Sequence, residues 1–221
     1  VHGWGGSFAS TWQRSGFTEL LADSGLEAVG IDLLGHGDAP KPHDPEAYGA
    51  LADDLLARLP DGRVDAVGFS LGAITLLRIA CEHPHRFGRL VLAGVGRNVV
   101  EPDDEHVGER IADAIEGNAP DTDTHARVFA QYAHQSGNDP VALAAIMRRP
   151  RSPLTSQQLA GATCPILVVI GDKDFAGPGE PLVGALPNAT LKVLRNVDHF
   201  ATPEAFGLWD AVLDFLGAEP S

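Results

Sequence analysis

The stretch from residue 64 to residue 80 limits the possible folds more than any other. Val64-Asp65-Ala66-Val67 is an apolar strand pattern, and it runs without a linker into Gly68-Phe69-Ser70-Leu71-Gly72. A helical pattern, Ala73-Ile74-Thr75-Leu76-Leu77-Arg78-Ile79-Ala80, runs straight out of it. A strand-to-helix turn this sharp strains the backbone at the serine, and side chains beside it would clash, so glycines flank it on both sides. Such a turn belongs to a layered α/β architecture in which strands end beside helix N-termini. It holds the serine oxygen out at the carboxyl end of the sheet, above the free N–H groups and positive dipole end of the helix.

The remaining patterns agree with that architecture. Apolar strand patterns fall at 28–34, 64–69, 90–95, 165–170 and 190–197, several of them near-continuous, as expected of strands covered on both faces. Helical spacing is present at 11–24, 46–59 and 71–82. Thr202-Pro203 supplies an N-cap and a first-turn proline for a helix over 205–216, with Phe206, Trp209, Leu213 and Leu216 on one stripe. The fold class expected is α/β, a mostly parallel sheet flanked by helices. Residues 97–158 break the alternation with helical patterns at 107–115, 125–134 and 141–148 and no convincing strand. They are expected to form an all-helical lid inserted after the third visible strand. The core would then comprise 1–96 and 159–221.

Composition narrows the function classes. The formal net charge of −14 over 221 residues repels nucleic-acid phosphates and anionic lipid headgroups, so neither nucleic acid nor membrane is an expected partner. The basic run Arg148-Arg149-Pro150-Arg151 is short and reads as a solvated helix end. No apolar stretch approaches the roughly 20 residues that span a bilayer, and no signal peptide is visible. Cys81 and Cys164 have no metal-ligand spacing and sit in apolar runs, which fits buried thiols in a cytoplasmic protein. No cofactor or metal motif is present.

A serine hydroxyl needs a base to act as a nucleophile. His199 follows the last strand pattern by a short turn and precedes the final helix, which puts it at the carboxyl end of the sheet with Ser70. Neutral imidazole takes the hydroxyl proton and imidazolium returns it to the leaving group. The remaining histidines, among them His36, His43, His83, His85, His106, His125 and His134, lie in polar helical stretches or loops and read as exposed or locally bonded. The acid should follow the preceding strand, where Gly171-Asp172-Lys173-Asp174-Phe175 offers two carboxylates. Asp174 lies deeper in the loop and is favoured over Asp172. Asp198 adjoins His199, and neighbouring side chains diverge, so it reads as a local partner. The chain order Ser, Asp, His is that of α/β-hydrolase triads.

His2-Gly3-Trp4-Gly5, Asp32-Leu33-Leu34-Gly35-His36-Gly37, the turn at 68–72, Gly171-Asp172-Lys173-Asp174 and Asp198-His199-Phe200 together resemble the α/β-hydrolase fold family, over nearly the whole chain. The resemblance implies an oxyanion hole made by the backbone N–H groups of Trp4 and Leu71, and it places Asp174 at the acid position. It implies that His2 holds its loop in shape and that 32–37 is a structural loop. Family strands precede the His-Gly motif, so two or three N-terminal strands are expected to be missing from this chain. Serine at 70 departs from the dehalogenase and epoxide-hydrolase branches, which use aspartate there.

The expected activity is hydrolysis of a carboxylic ester, or of a related small-molecule acyl substrate, through an acyl-enzyme and without a cofactor. The same apparatus serves lactones, thioesters, carbon–carbon cleavage of a diketone and perhydrolysis. A slow-turnover ligand sensor on this scaffold is the alternative of another class. Phe129, Leu143 and Met147, with Ile146 and Leu154, mark an apolar wall of the insertion that either lines the substrate pocket or packs as its core.

Overall fold

Runs of Val, Leu and Ile with alternating outlook build one four-stranded sheet in the computed structural model, which describes residues 1–101, 106–120 and 122–218. The strands are β1 (Val64–Phe69), β2 (Phe87–Ala93), β3 (Ile166–Gly171) and β4 (Ala189–Leu194), in the order β1-β2-β3-β4. Every pairing is parallel. Helices α1 (Phe17–Asp23) and α2 (Leu51–Arg58) precede β1, and α3 (Leu71–Glu82) connects β1 to β2. Between β2 and β3 run α4 (Arg97–Val100), α5 (Val107–Ile115), α6 (Thr124–Ala133), α7 (Pro140–Arg148) and α8 (Ser156–Leu159). Helix α9 (Glu180–Ala185) connects β3 to β4, and α10 (Phe206–Leu216) follows β4.

Side-chain alternation along the central strands divides the interior into two cores. Leu90, Leu92, Ile166 and Val168 face the core shared with α2, α3, α9 and the inserted helices. Val91, Ala93, Leu167 and Val169 face the opposite core, with Trp12, Phe17 and Leu21 from the N-terminal region and Leu208, Trp209, Val212 and Leu213 of α10. Consecutive strands with crossovers of one hand place α3 and α9 on the same face, and α10 closes the other. β2 and β3 are therefore almost wholly buried, whereas β4, at the edge, alternates and exposes Lys192.

Several expectations need correction. Residues 28–34 run without a strand assignment, and Val29 is 62% exposed. A strand needs a ladder partner, and among the described residues the free edge of β1 is bonded by Val1, whose amine donates to the Val67 carbonyl and whose carbonyl accepts from Phe69 N. The helix expected over 11–24 is broken, with a π-helical turn at Ala9–Gln13 and α1 beginning after Gly16, which sits at φ 87°. The helix expected over 46–59 divides into a 3₁₀ turn at Pro45–Tyr48 and α2. In α10, Phe206 is 75% exposed, and Leu208 and Val212 take the buried positions beside Trp209 and Leu213.

Helices α6, α7 and α8 of the insertion start where capping residues satisfy their free N–H groups. Asp123 accepts from Ala126 N at α6, Asp139 accepts from Val141 N and Ala142 N at α7, and Thr155 with Gln158 forms a capping box at α8. Arg148 at the end of α7 pairs with Glu109 and Asp113 of α5, each at 2.9 Å, and with Glu116 just beyond it. Among the described residues no helix is long and apolar enough to cross a membrane.

Candidate active site

The turn between β1 and α3 takes the strained form expected of it. Ser70 has φ 50° and ψ −114°, a conformation that side-chain-bearing residues rarely adopt. Its N–H donates to the Ala93 carbonyl of β2 at 2.9 Å, and its carbonyl accepts from Ile74 N at 3.0 Å, so both sides of the strained residue are tied down. The flanking glycines are required by space. A Cβ at Gly68 would lie 2.8 Å from the backbone of Ala73, and one at Gly72 would lie 2.4 Å from the His2 carbonyl oxygen.

Ser70, Asp174 and His199 converge from the ends of three different strands. His199 Nε2 lies 2.9 Å from Ser70 Oγ, and His199 Nδ1 lies 2.9 Å from Asp174 Oδ1 and 3.0 Å from Oδ2. Asp174 and His199 are buried, and Asp174 Oδ1 also accepts from Ala176 N at 2.8 Å. An ionised carboxylate accepts only, so Nδ1 carries the proton in this arrangement and Nε2 offers its lone pair to the serine hydroxyl. Asp172 is exposed and accepts from Asn196 N at 2.7 Å. Asp198 accepts from Ala201 N in its own turn.

The glycine-rich opening lies directly above this triangle. Gly6 N donates to Gly3 O across a turn in which Gly5 sits at φ 73°, and a Cβ on Gly3 would come within 3.2 Å of Ser70 Cβ. Trp4 occupies that turn, its N–H outside the turn's own hydrogen bond, while Leu71 opens α3, where an N–H has no acceptor within the helix. Fully buried His2 fastens the turn, donating from Nδ1 to Gly3 O at 2.7 Å and accepting from Leu33 N at Nε2. Burial, helped by the neighbouring His36, pushes its pKa down to about 3 and keeps it neutral. The loop 32–37 is held in turn by Asp32, which accepts from Phe8 N and Asp38 N.

An aromatic wall surrounds the imidazole. Phe175 lies 4.2 Å from the His199 ring by centroids, Phe69 4.9 Å and Phe200 5.6 Å. From α6, Phe129 reaches Trp4, Phe175 and Phe200, and Tyr132 reaches Phe200. Met147 borders a cavity of about 810 Å³ that opens beyond Leu71, between α3 and the insertion. Leu143 is fully buried in the core, and its carbonyl accepts from Trp4 Nε1 at 3.2 Å. Among the described residues no group of three or more His, Cys, Asp or Glu side chains is arranged to hold a metal ion.

Sequence reasoning passed over Phe175 and Phe200, although each directly follows one of the singled-out residues. It also misplaced Arg149. The run 148–151 is not simply a solvated helix end, because Arg148 is tied into the insertion and Arg149 is half-buried at the wall of the large cavity.

Comparison with known proteins shows the family. A family model described as the alpha/beta hydrolase family matches residues 1–207. A pimeloyl-[acyl-carrier protein] methyl ester esterase of Neisseria meningitidis serogroup A is 26% identical over 226 aligned positions, covering 90% of this chain and 69% of that protein. A hydrolase from Pseudomonas aeruginosa PA01 superposes with a TM-score of 0.73 at 26% identity, covering 99% of this chain and 88% of that chain. A structure from Nitrososphaera gargenis, described among carboxylesterases, superposes with a TM-score of 0.76 at 20% identity, covering 98% of this chain and 88% of that one, a likeness of fold. With the family model spanning nearly the whole sequence and the nucleophile turn, sheet order and loop placement all agreeing, the chain belongs to the α/β-hydrolase family.

Proposed function

We propose that this protein hydrolyses carboxylic esters through an acyl-enzyme, with Ser70 as nucleophile, His199 as general base and acid, and Asp174 as the carboxylate that orients and stabilises the imidazole. The observation that carries the reading is the unbroken line from Ser70 Oγ through His199 to Asp174, with both links at 2.9 Å. The relative from Neisseria is named a methyl ester esterase, which supports an ester as the bond cleaved.

Ser70 Oγ attacks the carbonyl carbon as His199 Nε2 takes the hydroxyl proton. The carbonyl electron pair moves onto oxygen, and the backbone N–H groups of Trp4 and Leu71 stabilise that charge; one such donor contributes roughly 3–4 kcal/mol in well-studied cases. Collapse expels the alkoxide, which leaves as the alcohol with the proton from His199. Water then gives its proton to His199 and attacks the acyl carbon, and the second collapse returns Ser70 with its proton. The helices over 97–158 act as the lid. Their contribution to the site is the aromatic wall of Phe129 and Tyr132, and Asn138 Nδ2 ties them to the glycine turn by donating to Gly5 O at 2.9 Å.

The test is pre-steady-state hydrolysis of a p-nitrophenyl acetate reporter. The wild-type chain should show an acylation burst that Ser70→Ala removes. Asp174→Asn should lower turnover by several orders of magnitude, and Asp172→Asn much less. Undiminished turnover in Ser70→Ala removes serine 70 from the mechanism, and the reverse ranking of the aspartates moves the acid to Asp172.

A further inference from the structure

Among the described residues three phenylalanines are exposed, Phe175, Phe200 and Phe206, and two of them lie at the same imidazole. A single exposed apolar side chain is ordinary, whereas a contiguous cluster marks a surface that binds something. Phe175, 48% exposed, and Phe200, 40% exposed, belong to such a cluster. Their centroids are 6.1 Å apart, and Phe129 of α6 lies 5.8 Å from the first and 6.0 Å from the second. Tyr132, one turn further along α6, lies 5.6 Å from Phe200. All these spacings fall in the range where aromatic rings attract one another.

The cluster is joined to the reacting centre by direct contacts. The Phe175 ring lies 4.2 Å from the His199 ring, whose Nε2 is 2.9 Å from Ser70 Oγ. Phe200 and Tyr132 also line a small pocket with Gly3 and Trp4 of the glycine turn, and a Cβ on Gly3 would come within 3.2 Å of Ser70 Cβ. Which part of an ester meets these rings follows from the path of the proton. When the first intermediate collapses, His199 gives its proton to the alcohol oxygen, which must then lie about 3 Å from Nε2. The carbonyl oxygen is held on the other side, by backbone N–H groups. The carbon bonded to the alcohol oxygen therefore sits beside the imidazole and the rings that border it. An aromatic ring on that carbon meets Phe175 and Phe200 at once. A saturated ring of the same size buries similar area but lacks the quadrupole that orients and attracts aromatic pairs.

We infer that Phe175, Phe200 and Phe129 form the subsite for the leaving alcohol, and that it selects esters of arylmethyl alcohols, the benzyl class, over esters of saturated alcohols of the same size. The proposal deepens the ester-hydrolase reading and rests on Ser70 as the reacting centre.

Two measurements on the full chain test it. The first keeps the acyl group as acetyl, so that every substrate passes through one acyl-enzyme and only its formation senses the alcohol. It compares kcat/KM for benzyl acetate and cyclohexylmethyl acetate, each divided by the rate of hydroxide-catalysed hydrolysis of the same ester. The wild type should favour the benzyl ester about three- to tenfold, the worth of an aromatic pair beyond its buried area. Phe175→Leu and Phe200→Leu should each bring the ratio toward one, and Phe175→Tyr should keep it. The preference is a ratio, so partial misfolding or a looser imidazole cancels. The same proteins are then given ethyl phenylacetate and ethyl cyclohexylacetate, where the ring is on the acyl side, and this ratio should not respond to Phe175→Leu. A benzyl ratio near one in the wild type, or one that both leucine variants leave unchanged, overturns the proposal. So does an acyl-side ratio that responds as strongly as the alcohol-side ratio, because it moves the rings to the other half of the substrate. The second measurement follows benzyl alcohol binding by saturation-transfer NMR in the wild type and in Phe175→Leu. No binding, or binding that Phe175→Leu leaves unchanged, overturns the subsite. Phe175-dependent binding by a chain that hydrolyses no ester upholds the aromatic subsite and sinks the Ser70 reading instead.

Discussion

At the scale of single residues, the site is governed by close approach. Ser70 holds a backbone conformation whose cost is of the order of 1–3 kcal/mol, and hydrogen bonds to Ala93 and Ile74 on either side maintain it. Gly72 shows how little room remains. Alanine there would gain at most about 1 kcal/mol in helix propensity. Its Cβ would meet the carbonyl oxygens of His2 at 2.4 Å and Val1 at 2.8 Å, both of them backbone, which cannot swing aside as a side-chain tip does. Overpacking of this kind costs typically 1–3 kcal/mol, so the clash outweighs the propensity gain. Gly72→Ala is therefore expected to lower stability by about 1–2 kcal/mol in urea denaturation and to lower kcat further, by shifting the glycine turn above Ser70. A variant as stable and as active as the wild type would show that the turn yields freely.

At the scale of elements, the central question is how the inserted helices are attached to the sheet. Capping residues and the Arg148 ion pairs organise the insertion internally, but exposed ion pairs contribute only about 0–1 kcal/mol each. The hydrogen bonds from the insertion to the glycine turn include the Trp4 indole bond to Leu143 O and the Asn138 bond to Gly5 O, beside the ring contact of Phe129 with Trp4. Trp4→Phe keeps most of the ring and removes the N–H donor. It is expected to cost about 1 kcal/mol. Hydrogen exchange should speed up in α7 before the central strands β2 and β3 respond. Uniform acceleration across the sheet would mean instead that the insertion and core open as one unit.

At the scale of the whole molecule, two buried histidines make stability depend on pH. His2 and His36 lie with ring centroids 4.9 Å apart, and among the described residues buried His36 Nε2 has no hydrogen-bond partner. Burial pushes their folded pKa values down, to about 3 for His2 and about 4 for His36, against an opposing attraction from Asp32. Unfolded histidine titrates near about 6.5. Below that pH the unfolded chain binds protons that the folded chain refuses, so stability is complete above about 6.5 and falls as the pH drops toward about 4. The urea midpoint should therefore decline between pH 7 and pH 4.5 at constant high salt, and His36→Gln should flatten the decline. A midpoint that does not move with pH in the wild type would contradict neutral burial of the pair.

Much of this was legible before any coordinates, and the physical reason is locality. The turn at 68–72, the strands β1 to β4 and the helix α3 announce themselves because their determinants are near neighbours in sequence: glycine flanks, apolar runs and caps. The segment at 28–34 misled because strand formation depends on a partner, and pairing is a property of the sheet rather than of the run. Phe206 misled because helical spacing defines a face without saying which part of it another element covers. The amino-acid sequence determined the α/β class, the strained serine turn and the short set of groups able to serve it. Only the tertiary structure decided that His199 meets Asp174 and not Asp172, that Phe175 lies against the imidazole, and that Arg78 and Arg149 face one cavity. Those relations join residues from separate elements across one end of the sheet, and such distances are set by packing, which no local pattern encodes.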